Sequence, residues 1–178
     1  MTHLDITQLA TVFGLLGVLA NVCWPLMRER KSLLAGQVLA CVFMLTHFAL
    51  LDARTGSVIM AVAGIQALLA IPLESNQKFK YIYLGSLIFT PIVCIATWQG
   101  APSVFSSLAL AIVCIANFQL NQVHQRALLI MAIFAWFAHN LLVVSVPGII
   151  SNVLAFVVSV RMLVLTARTA RFAQFEAR

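Results

Sequence analysis

Charge is what this chain has least of. Five of its 178 residues are acidic and 9% carry any charge, against about a quarter in an ordinary soluble domain. A water-facing surface cannot be built from so few charges, so the composition is that of an integral membrane protein. The five acids, Asp5, Glu29, Asp52, Glu74 and Glu176, all fall in loops or termini. Within the apolar segments there is therefore no carboxylate pair for acid–base chemistry, no acidic ring for an ion filter and no Asp or Glu proton relay. Cysteine is also sparse. Cys23, Cys41, Cys94 and Cys114 lie inside apolar segments without a CxxC pair or metal-ligand spacing, so they are expected to pack as small hydrophobes. No metal or cofactor is expected. Alternation at period two is missing, which excludes a β-barrel. The first positive charges follow the first apolar run instead of preceding it, so that run is not expected to be a cleaved signal.

What is present is apolar: 62% of residues are hydrophobic and the mean hydropathy is +1.02. Seven apolar segments are expected as transmembrane helices, making an all-α membrane fold. They run over 6–27, 33–51, 56–72, 81–98, 104–120, 127–144 and 147–165, each near the ~20 residues that cross a bilayer core of ~30 Å. The loops orient them. The N-terminus and the loops after segments two, four and six contain only Arg54. The opposite side contains Arg28, Arg30, Lys31, Lys78, Lys80 and Arg126, with Arg161, Arg168, Arg171 and Arg178 toward the tail. Lys and Arg accumulate on the cytoplasmic side, which predicts the N-terminus outside and the C-terminus in the cytoplasm. Trp24, Tyr81 and Tyr83 then fall at the inner interface and Trp98 at the outer. The net charge of +6 is accounted for by this membrane-surface placement, and no nucleic-acid partner is expected.

The chain also echoes itself. Leu45-Thr46-His47-Phe48-Ala49-Leu50-Leu51 returns 92 positions later as Phe137-Ala138-His139-Asn140-Leu141-Leu142-Val143, and each histidine is followed nine residues on by a glycine, Gly56 or Gly148. Ala20-Asn21 matches Ala116-Asn117 if four residues are inserted near Arg28–Lys31. The expected organisation is a three-helix repeat over 1–75, a linker helix over 76–101, and a second three-helix repeat with a basic tail over 102–178. The fourth helix gives both repeats the same direction, a plan used by some transporters.

Polar side chains inside a membrane are costly and are functional candidates. His47, Gln66, Trp136, His139, Asn140 and Asn152 are the expected solute-binding residues. Asn21, Pro25 and Asn117 are the expected inner gate. The opposing expectation is that these groups only bridge helices, at ~0.6 kcal/mol each. Gly56 and Gly148 are expected to be turn residues, Arg161 to snorkel, and the tail arginines to meet anionic lipid.

Three-plus-one-plus-three with the N-terminus outside resembles the SWEET sugar facilitators (MtN3-like) and the PnuC-type vitamin transporters. This chain has no Pro-Gln dipeptide, and only Pro25 sits where a SWEET helix is hinged. His47-Phe48-x-Leu50-Leu51, with His139-Asn140, Ser145-x-x-Gly148 and Arg161, resembles the YgjV family of bacterial inner-membrane proteins over nearly the whole chain. These resemblances imply a multi-pass protein of the bacterial inner membrane and a solute site between two parallel three-helix bundles. The expected function is facilitated passage of a small polar or aromatic solute. Membrane lipid is an expected partner, and homo-oligomerisation is left open. A non-transporting accessory or assembly protein is the alternative. An enzyme is not expected; it would need a histidine beside a nucleophile such as Thr46 or Ser145.

Overall fold

The computed structural model describes residues 5–176. Seven α-helices account for most of them: α1 (Ile6–Cys23), α2 (Arg30–Leu50), α3 (Arg54–Ala70), α4 (Lys80–Ala96), α5 (Ala101–Asn117), α6 (Gln122–Leu142) and α7 (Val146–Glu176). By length and composition five stretches can cross a membrane: Ile6–Leu26, Arg30–Leu50, Arg54–Glu74, Gln122–Leu142 and Val146–Arg171. All seven expected helices are present among the described residues, and these five are long enough to span on length and composition alone. α4 and α5 are 17 residues each. Seventeen residues rise only ~25 Å as a helix, and α5 carries Ser103, Ser106 and Ser107 in its first two turns. The side chains of Lys80 and Tyr83 and all of Arg178, expected at a membrane surface, lie outside the described residues.

Helix starts follow local chemistry. Asn121 caps α6 by accepting from the N–H groups of Val123 and His124 at 2.9 and 3.2 Å. Ser145 caps α7 by accepting from Gly148 N–H at 3.1 Å. Each cap satisfies first-turn donors that no carbonyl of the helix can reach. The α2–α3 and α6–α7 turns are made alike. Ala53 N–H donates to Phe48 O and Ser145 N–H to Asn140 O, the six-to-one bond that closes a helix over a left-handed residue. That residue is Asp52 (φ 54°) in one turn and Val144 (φ 55°) in the other. Gly56 and Gly148, expected to make these turns, are instead the third residues of α3 and α7. Valine is a poor choice at positive φ because its branched Cβ crowds the backbone. Val144 is exposed, so Val144→Asn is expected to stabilise by about 1 kcal/mol, read as a raised melting temperature in detergent.

Six helices close a ring. α1 packs on α2, α2 on α3, α3 on α5, α5 on α6, α6 on α7 and α7 on α1, while α4 lies outside against α3 and α5. The buried apolar residues form two clusters within the ring. One holds Met44, Phe48, Ile59 and Trp136, and the other Leu33, Leu34, Val113 and Leu129. Helix boundaries recur at one spacing: α2 and α6 are both 21 residues long, from Arg30 and Gln122, and α3 and α7 start at Arg54 and Val146. α1 and α5 start 95 and end 94 positions apart, while the carbonyls that meet the two histidines, at Ala10 and Pro102, are 92 apart, so these contacts are made without the four-residue shift. Register places Asn21 with Val113 and Asn117 with Pro25, so the two asparagines are not counterparts.

Candidate functional site

The two histidines lie at one end of the ring. Each is buried, and each donates through Nδ1 to a main-chain carbonyl 37 residues earlier: His47 to Ala10 O at 2.7 Å, His139 to Pro102 O at 2.9 Å. With Nδ1 donating, Nε2 is the acceptor. His47 Nε2 accepts from Ser145 Oγ at 2.8 Å, which ties α2 to the start of α7. The Ser–His spacing is that of a nucleophile and its base. However, both residues are buried and the same Oγ already caps α7. His139 Nε2 has no partner among the described residues. It faces Gly56, where an added Cβ would lie 2.8 Å from Nε2, and where a serine would correspond to Ser145 the chain has Ala53.

That gap gives a direct prediction. Ala53→Ser places a hydroxyl at the cap position of α3, where it can accept from the first turn and donate to His139 Nε2. The expected gain is ~1–2 kcal/mol of stability. A lower melting temperature would mean that the hydroxyl is buried without its partner.

Phe48 closes the ring at the same end. It stacks on Trp136 with ring centroids 6.1 Å apart and meets His139 edge-on at 5.3 Å. Trp136 and His139 are themselves edge-to-face at 5.4 Å. A side chain of α2 thus spans to two of α6.

The opposite end is closed by arginines that the sequence placed among loop charges. Arg30 and Arg126 are helical and 3% exposed. Neither has a carboxylate within salt-bridge distance; the ion pair found among the described residues is Arg54–Asp52. Arg30 donates to Asn117 O at 2.5 Å, Ala70 O at 2.9 Å and Gln119 O at 3.3 Å. Arg126 donates to Pro25 O at 2.8 Å and Met27 O at 2.7 Å. The accepting carbonyls lie at the ends of α1, α3 and α5, where no intrahelical donor remains and the helix dipole is negative. Pro25 and Met27 precede Asn117 and Gln119 by the same 92 positions as the histidines.

Between the two closures lies a cavity of about 70 Å³, room for roughly two waters. All six ring helices contribute to its wall. Of the expected site residues, Asn21, Trp136, Asn140 and Asn152 meet there. They are joined by Trp24 and Gln37, which the sequence reading had left at the interface or unassigned. Trp24 Nε1 donates to Asn21 Oδ1 at 3.2 Å. Gln37 Oε1, Asn140 Oδ1 and Asn152 Nδ2 are buried without a partner among the described residues. His47, His139, Gln66, Pro25 and Asn117 are not on the wall. The histidines belong to the end closure, Pro25 and Asn117 supply carbonyls to the arginines, and Gln66 is buried in α3 with its amide unpaired. Gln37 carried a signal as an amide inside an apolar run, and Trp24 was legible as an aromatic near a segment end; nothing marked the arginines as buried.

The family model described as a bacterial inner membrane protein, Imp-YgjV, matches residues 8–170. The chain belongs to the Imp-YgjV family. Together with several helices apolar and long enough to span, membership makes it a multi-pass protein of a bacterial inner membrane. No curated protein matches it, and no solved structure does.

Proposed function

We propose that this Imp-YgjV protein is a small-solute facilitator built from two parallel three-helix units, 1–75 and 102–178, with α4 as linker. The N-terminus is outside and the C-terminus cytoplasmic. The solute site is the ring's central cavity. The aromatic and histidine contacts form the outer closure, and the arginine–carbonyl contacts the inner one. The observation that carries this reading is the cavity at the centre of the ring, on which four amide side chains from three helices and the end of a fourth, Asn21, Gln37, Asn140 and Asn152, converge with Trp24 and Trp136. Polar side chains inside a membrane are costly, and their gathering at one open space is what a solute site requires. At about 70 Å³ the cavity is well below the roughly 300–1,000 Å³ of ordinary ligand pockets, so the ring must open at one end to load. The constant spacing of 92 supports the two-unit reading, because it places matching carbonyls under the arginines of the opposite unit. The tail arginines Arg168 and Arg171 are exposed on α7, whose 31 residues rise ~46 Å, past a bilayer core and into reach of lipid headgroups.

Cys41 is a native reporter, because it lines the cavity. With Cys23, Cys94 and Cys114 replaced by alanine, Cys41 in membranes is expected to react with a small water-soluble maleimide. Complete protection in a folded protein would leave the wall as sealed helix packing and favour the accessory-protein alternative.

A further inference from the structure

The central cavity shares a wall with a second hollow. Between α2 and α3, on the outside of the ring, runs a groove of about 280 Å³ whose lining, Val42, Leu45, Gly64 and Ile65 included, is apolar throughout. Cys41 and Met60 line both the groove and the cavity, so the partition between the two is there one side chain thick. The helices are pressed together at this point, since a Cβ added at Gly64 would lie 3.2 Å from Cys41 Cβ. Met60 is half-buried, and an unbranched methionine with three rotatable bonds can swing aside.

Depth decides what covers the groove. It lies midway along the spanning stretches Arg30–Leu50 and Arg54–Glu74, and Val42, Ile65 and Leu68 around it are exposed. The neighbour at that depth is bilayer hydrocarbon. Water does not settle in an apolar hollow, whereas an acyl chain gains dispersion contacts along both walls. The second unit is built differently at the corresponding place. At the spacing of 92 that relates α2 to α6 and α3 to α7, Phe134 replaces Val42 and Phe156 replaces Gly64, and their rings meet edge-on across the crevice at 5.4 Å.

We infer that the groove between α2 and α3 binds one hydrocarbon chain of a membrane amphiphile, and that Met60 is the movable partition through which the chain reaches the central cavity from the side. The inference needs the groove and the cavity and not the passage of a solute, so it goes beyond the transport reading.

The test uses full-length protein in lipid nanodiscs with palmitate carrying a mid-chain diazirine, which puts the photoreactive carbon at the depth of the groove. Crosslinked residues are mapped by peptide mass spectrometry. Crosslinks to residues 38–45 and 60–68 are expected to saturate and to fall about tenfold under excess unlabelled palmitate. Those to exposed Ile88 and Ile92 of α4 are expected to rise linearly and to resist competition. Val42→Phe and Gly64→Phe each copy the second unit and are expected to abolish the competable labelling. Val42 is exposed, so its variant carries the test if crowding against Cys41 unfolds the other. Met60→Ala is expected to raise crosslinks at Ala132 and Ala155, buried on the α6 and α7 side of the cavity wall, by about tenfold. Groove labelling no more competable than that of α4 overturns the chain site. So does groove labelling below that of α4, the result if a second copy of the chain covers the groove. Unchanged crosslinking at Ala132 and Ala155 in Met60→Ala overturns the side opening. None of these results depends on whether Cys41 meets a water-soluble maleimide, so the transport reading stands or falls separately.

Discussion

Arg126→Ala is expected to lower the melting temperature strongly and to raise the rate of Cys41 labelling from the cytoplasmic side by tenfold or more. Two effects of opposite sign compete at this site. Burying a guanidinium costs several kcal/mol even after the protein relaxes, and Arg126 Nε remains without a partner, so part of that cost is uncompensated. Against this stand two charge-assisted bonds, to Pro25 O and Met27 O, each contributing ~1.5–3 kcal/mol. Alanine removes the bonds and leaves both carbonyls buried at the end of α1 without a donor. The bonds win, and the net loss is ~3 kcal/mol. Arg126→Met separates folding from gating. It relieves the buried charge and keeps the packing volume, so stability is expected to suffer less than in the alanine variant. The link from α6 to the end of α1 is still gone, so labelling is expected to stay fast. Arg126→Lys reaches one carbonyl at a time and is expected to fall between. Unchanged labelling in both the alanine and methionine variants would refute the inner closure.

The arginines also show where sequence reading stops. That α2 and α6 are membrane helices was legible from their apolar runs, and His47 and His139 stood out because a titratable ring inside such a run is conspicuous. Asn140, Asn152 and Trp136 were legible for the same reason. Arg30 and Arg126 were not, because each sits beside other polar residues at a segment end, where arginine ordinarily faces water. What buries them is a set of carbonyls from helices 40 to about 100 residues away, and main-chain acceptors leave no trace in side-chain identity. The same blindness produced the Asn21–Asn117 pairing. Matching residue types suggested a shift of four, whereas the carbonyls that meet the two arginines, Pro25 and Met27 against Asn117 and Gln119, stand 92 apart. Arg30 and Arg126 are displaced by a turn along equivalent helices, yet their long side chains reach equivalent carbonyls. A flexible arginine stem absorbs a displacement that a histidine ring cannot, so the two histidines and the carbonyls they meet share one spacing of 92. Gly56 and Gly148 lie at the same place in their helices, the third residue, and are not turn residues. They are small because His139 and Asn140 pack against them, a contact between elements that no local turn rule contains.

At the other end of the ring, His47→Ala is expected to cost about 3 kcal/mol and to be only partly mimicked by Ser145→Ala. The imidazole holds three helices at once, through Ala10 O on α1, its own α2 and the cap of α7. Removing it strands one carbonyl and one hydroxyl in a buried site and opens a void beside Gly14, which lies close enough that an added Cβ would be 2.8 Å from His47 Nδ1. Each stranded group costs ~1–3 kcal/mol. Ser145→Ala removes the hydroxyl together with its need for a partner. It also uncaps α7, at ~1 kcal/mol, and leaves Nε2 as unpaired as that of His139 already is. The two changes therefore share one bond, and the double variant is expected to be less destabilised than the sum of the singles by ~1 kcal/mol. His139 provides the internal control. It makes the corresponding Nδ1 bond without a hydroxyl partner, so His139→Ala is expected to be milder than His47→Ala. If the outer closure depends on this network, His47→Ala raises Cys41 labelling from outside, whereas Arg126→Ala raises it from inside. An identical side preference for the two variants would mean that the two ends do not act as separate closures.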